Sequence, residues 1–174
     1  STRAEGFAHL MEALRAGLGQ SGYDVGRNVA IEYRWADDQP DRLPALVAEL
    51  IRKPVAVIVS NTQAALAAKA ATATVPIVFV IGTDPIRDGL VTSFNRPGGN
   101  VTGISFLASG SSGKRLELLR QLVPSAATIA VLVDPRTAEG IAERRDVEVA
   151  AQAVGQRLFV VEIETDRDLE PAFA

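Results

Sequence analysis

The chain has 174 residues, 47% of them apolar and 22% charged, with a formal net charge of −3, the composition of a globular protein with enough residues for one core or two small lobes. There is no Lys/Arg-rich run to act as a nucleic-acid footprint, and no apolar stretch approaches the ~20 residues that span a bilayer, so direct membrane insertion is not expected. Zero cysteines exclude disulfides, thiolate catalysis and Cys-ligated metal, and a single histidine leaves little material for a Ser-His-Asp or His-rich metal site.

Residues 1–5 carry no signal-peptide pattern. Phe7, Leu10, Met11, Leu14 and Leu18 fall on one face of an amphipathic helix that ends near Ser21 and Gly22. His9 lies off that face and reads as a solvated position. Residues 29–35 alternate at Val29, Ile31 and Tyr33, which predicts a strand near a sheet edge, with Trp35 as a rim residue. Asp37, Asp38 and Asp41 are weak as a metal or acid/base group and read better as a loop leading into a helix. Leu43, Leu46, Val47, Leu50 and Ile51 mark that helix, which Lys53 and Pro54 stop.

The organising stretch follows, at residues 55–85. The apolar run VAVIV (55–59) breaks at Ser60, Asn61 and Thr62, passes through an alanine-rich helix and returns as IVFVI (77–81). Evenly apolar runs predict parallel strands buried on both faces, and strand–helix–strand is the βαβ unit. Residues 86–91 predict a short helix. Residues 94–100 are dense in turn formers and lead into a strand at 101–106. The Ser/Gly-rich stretch at 107–112 is the candidate lobe boundary. A helix at 114–123 ends at Pro124, and a buried strand at 128–133 delivers Asp134. A further helix carries Val147, Ala150, Ala151 and Val154 on one face and stops at Gly155, and a last strand covers 158–163. This is a doubly wound α/β pattern in two consecutive blocks.

Open α/β sheets bind ligands beyond the C-terminal ends of their strands. The loops there carry Ser60, Asn61, Thr62, Thr83, Asp84, Ser105 and Asp134. Hydroxyls, amides and carboxylates of this kind hold a small polar ligand. The free N–H groups where the Thr62 helix begins suit a carboxylate, and Asp84 and Asp134 suit an ammonium group or sugar hydroxyls. The bland alternative stands beside this: Asn61 and Thr62 cap a helix, and each Asp-Pro starts a turn. There is no GxGxxG after a strand, no Walker loop and no GxSxG elbow, so dinucleotide, NTP and nucleophilic-serine chemistry lose their usual carriers, no cofactor is expected, and the chain reads as binding without catalysis.

Six segments together resemble one family: NVAIEYRWA (28–36), DRLPA (41–45), VPIVF (75–79), GTDP (82–85), NRPGGNVTG (95–103) and KRLELLRQLVP (114–124). The family is the ABC-transporter substrate-binding proteins of the type that includes tryptophan- and phenylalanine-binding members, and NRPGGNVTG is the most specific piece. The resemblance implies a type I periplasmic-binding-protein-like fold, with two doubly wound parallel-sheet lobes closing on a small molecule. It implies export to the periplasm and delivery to an ABC permease in the membrane. It places Thr62 with Asn61, and Thr83 with Asp84, toward the cleft from the first lobe, Ser105 near the crossover, and Asp134 toward the cleft from the second.

On this reading residues 1–107 form the first lobe, 108–113 the linker and 114–174 part of the second lobe. The family's first strand, expected just before Ser1 and seated between the strands at Val29 and Val55, is not in the chain. The second lobe's C-terminal part is missing as well. The expected ligand is a small amino acid or similar carboxylate. Two other readings use the same fold: a sensory ligand-binding domain, and a small α/β enzyme with Asp84 or Asp134 as acid/base.

Overall fold

The computed structural model describes residues 4–106 and 111–173. After a 3-10 turn at Ala4–Phe7, the helices are α1 (Ala8–Gln20), α2 (Leu43–Arg52), α3 (Thr62–Ala71), α4 (Ser112–Leu122), α5 (Ala138–Ala153) and the single turn α6 (Leu169–Ala172). The strands are β1 (Ile58–Ser60), β2 (Ile77–Ile81), β3 (Val101–Ser105), β4 (Thr128–Val133) and β5 (Arg157–Glu162). They form two parallel sheets, β1-β2-β3 and β4-β5. Among the described residues no helix is long and apolar enough to cross a membrane.

The first sheet is built as its alternation dictates. Ile77, Phe79 and Ile81 of β2 point to one face, where they are buried with Ile58 and Val101. Helix α3 lies on that face and α2 packs against α3. Ala65 and Ala68 are fully buried, and side chains this small let the α3 backbone approach the sheet closely. Gly103, the neighbour of Phe79 in the β2–β3 register, lies so close that a Cβ there would fall on the Phe79 carbonyl oxygen and ring. In the second unit Leu116, Ile129 and Ala151 form a smaller core.

Three expectations are corrected. The first sheet is not buried on both faces: Val59, Val80, Ile104 and Phe106 are exposed on the side opposite α3, Ile104 at 61% and Phe106 at 68%. Helix α3 lies on one side with α2 packed against it, and no residue of α1 is buried, so the other side is left largely exposed.

Residues 29–35 do not form a strand. They make only a bridge, Val25 to Val29, because no strand among the described residues runs beside them to complete a ladder. Side chains hold the segment in place instead. Tyr33 stacks on Trp35 with ring centroids 6.1 Å apart, and Arg15 Nε donates to the Tyr33 hydroxyl at 3.1 Å. Arg34 reaches Glu49 of α2 at 3.0 Å, and Lys53 reaches Glu32 at 2.8 Å.

Residues 86–91 form a turn, not a helix. Asp84 Oδ1 accepts from the Ile86 and Arg87 N–H groups at 2.8 and 3.2 Å, and Lys69 Nζ caps the carbonyls of Gly89 and Leu90. The linker expected at 108–113 falls in part on residues 107–110, outside those described, and α4 already begins at Ser112 within it.

Candidate functional site

The C-terminal ends of β1 and β2 bring two threonines together. Thr62, first residue of α3, and Thr83, two residues past β2, are each 1% exposed, and their hydroxyl oxygens lie 3.5 Å apart. Asn61 caps α3 by accepting from the Ala64 N–H at 3.1 Å, which turns the helix start toward this point. Ser105, last residue of β3, donates to the Thr83 carbonyl at 2.6 Å and fixes the loop that carries Thr83. Just before Asn61, the Ser60 hydroxyl oxygen is buried without a hydrogen-bond partner among the described residues. A buried hydroxyl of that kind costs about 1–3 kcal/mol unless something meets it.

Two of the expected acids are engaged by their own loops. Asp84 is the acceptor of the turn described above. Asp134 binds Arg136 through both oxygens, at 3.0 Å to Nε and 2.9 Å to an Nη, and also accepts from the Arg136 N–H at 3.0 Å. The Arg136 guanidinium beside Asp134 holds its carboxyl below the usual aspartate range.

The acid that reaches the threonines is one that sequence reasoning missed. Thr62 Oγ1 donates to Glu139 Oε1 at 2.7 Å across 77 positions of chain. Glu139 stands in the first turn of α5, where Thr137 Oγ1 caps the helix by accepting from Gly140 N–H at 2.9 Å. Gly140 is required there, because a Cβ would fall on the Asp134 carbonyl oxygen. Two more contacts join the same two units. Gln63 Nε2 donates to the Arg136 carbonyl at 3.0 Å, and Arg87 pairs with Asp146 of α5 at 2.8 Å. The starts of α3 and α5 thus meet at one point, bringing together two helix N-termini, buried hydroxyls and one carboxylate. Such a set can hold a small polar ligand at several atoms at once.

The sequence matches the family described as ABC transporter substrate binding protein over residues 4–174. A tyrosine-binding protein of Clostridioides difficile strain R20291 is 34% identical over 116 residues, which is 66% of this chain and 33% of that protein. A solved conserved domain protein from Vibrio cholerae superposes with a TM-score of 0.78 at 29% identity, over 92% of this chain and 54% of that one. An ABC domain from Streptococcus pneumoniae, solved in complex with L-Trp, gives a TM-score of 0.73 over the same 92% and 54%; at 22% identity this likeness carries the fold alone. The chain spans about a third of the curated relative and about half of these solved chains.

Proposed function

The chain belongs to the ABC transporter substrate-binding protein family, and from that premise we propose that it captures a small amino acid or similar carboxylate in the cleft between its two lobes. It binds without turnover, works in the periplasm and delivers its ligand to a membrane permease of the same transporter. The lobes divide at residues 108–113. The observation that carries this reading is the buried pair of Thr62, at the start of α3, and Thr83, beside a Ser60 hydroxyl that has no partner among the described residues. A ligand carboxylate docked there meets hydroxyl donors and the positive end of a helix together. The name of the curated relative, a tyrosine-binding protein, supports an amino-acid ligand.

The test is a thermal-shift screen of the protein against amino acids, small carboxylates and sugars. A ligand at 100 times its Kd adds about 2.7 kcal/mol, a rise of several degrees at this size. A saturable shift with one chemical class and no product formed is the expected result. Thr62→Ala should then weaken that ligand by about 1–3 kcal/mol, roughly tenfold to a hundredfold, by titration calorimetry. A flat screen across all three classes would remove the reading.

A further inference from the structure

Helix α5 carries four acids, Glu139, Glu143, Asp146 and Glu148. Three of them pair with arginines: Glu143 with Arg115, Asp146 with Arg87, and Glu148 with Arg144. Glu139 pairs with no lysine or arginine among the described residues and accepts instead from the Thr62 hydroxyl. Its nearest cationic neighbour in sequence, Arg136, is held by Asp134 and by the Glu164 carbonyl.

A hydroxyl donor leaves the carboxylate's full charge uncompensated and most of its lone pairs open. Glu139 is an exposed residue, so that charge is open to a ligand arriving between the two units. Asp84 and Asp134, the other carboxylates of this edge, are engaged by backbone N–H groups and by Arg136.

Resting on the reading above, we propose that Glu139 makes the cleft select ligands that carry a protonated amine beside their carboxylate. The amine binds at Glu139, while the carboxylate lies against the α3 start and the threonine hydroxyls. An otherwise identical ligand without the amine brings its carboxylate toward an unneutralised Glu139, and like charges at that range repel. Discrimination therefore comes from both an attraction and a repulsion at one side chain.

The experiment is titration calorimetry on the full chain with L-tyrosine and L-tryptophan, and with their amine-free counterparts hydroxyphenylpropionate and indolepropionate, repeated with Glu139→Gln. Glutamine keeps the shape and the acceptor for Thr62 and removes the charge. The wild type should bind the amine-bearing member of each pair roughly tenfold tighter or more, as charge-assisted hydrogen bonds do. Glu139→Gln should lose that preference while holding the amine-free compounds as well as before or better. Equal binding within each pair by the wild type, or an unchanged preference in Glu139→Gln, would overturn the role of Glu139 and leave the binding reading standing. Failure of the wild type to bind any of the four would overturn the proposal, and the wider thermal-shift screen would then decide the amino-acid reading.

Discussion

Asp134 shows what a residue's own neighbourhood does to its chemistry. Its carboxyl titrates low because Arg136 favours the charged form. A depressed folded-state value contributes stability that is complete above the unfolded value, near pH 4, and lost as pH falls through the folded one. Glu32, held low by Lys53, and Asp168, held low by the Thr165 and Glu164 N–H groups, act in the same direction. Asp134→Asn should therefore lower the melting temperature at pH 7 and matter less as pH approaches 3. With the Asp134 side chain 30% exposed, solvent screening keeps the loss under about 1 kcal/mol. A gap between variant and wild type that stays constant from pH 7 to pH 3 would exclude this charge effect. The cap at Asn61 and the turn at Asp84 were legible in the sequence, because short polar side chains bond their own backbone a few residues on. Glu139 was not legible: it is one of four acids on one helix, and only folding brings it to a threonine 77 positions away.

At the scale of elements, β2 divides the first sheet into a packed face and a bare one. Ile77→Ala, on the packed face, should cost about 2–5 kcal/mol through lost burial and a cavity. Ile104→Thr, on the bare face, should change stability by no more than about 0.5 kcal/mol. Urea midpoints at constant slope would separate them, and comparable losses would mean that both faces are covered. The apolar runs at 55–59 and 77–81 identified the parallel strands because evenly apolar segments with this punctuation have few other uses. They misreported the second face, since an apolar side chain records no neighbour. The alternation at 29–35 failed for a related reason: period two describes which way side chains point, whereas a strand also needs a backbone beside it.

Across the whole molecule, the two units are joined by Thr62 to Glu139, Gln63 to the Arg136 carbonyl, and Arg87 to Asp146. The overall architecture was legible because the family resemblance spread over most of the chain, and NRPGGNVTG turns out to be structural. Asn100 within it donates to the carbonyls of Thr72 and Val75, tying the loop before β3 to the loop before β2. The contacts between units were not legible, since each joins residues far apart in sequence. Arg87 and Asp146 lie at a partly exposed rim, with side chains 36% and 20% accessible, which limits their pair to about 0.5–1 kcal/mol. Arg87→Ala should weaken ligand binding two- to fivefold and enlarge the radius of gyration seen by X-ray scattering. Raising salt from 50 to 500 mM should reproduce part of that effect in the wild type. An unchanged affinity and radius would show the pair to be incidental.

A hydroxyl has a single proton to give, and Thr62 gives its proton to Glu139 in the other unit. Under the binding role proposed above, capture of a ligand at that hydroxyl would therefore be an exchange of partners and not a simple addition. On that reading the rate of capture should level off with ligand concentration instead of climbing with it, because the Thr62–Glu139 bond must open first, and release should be paced by the same exchange.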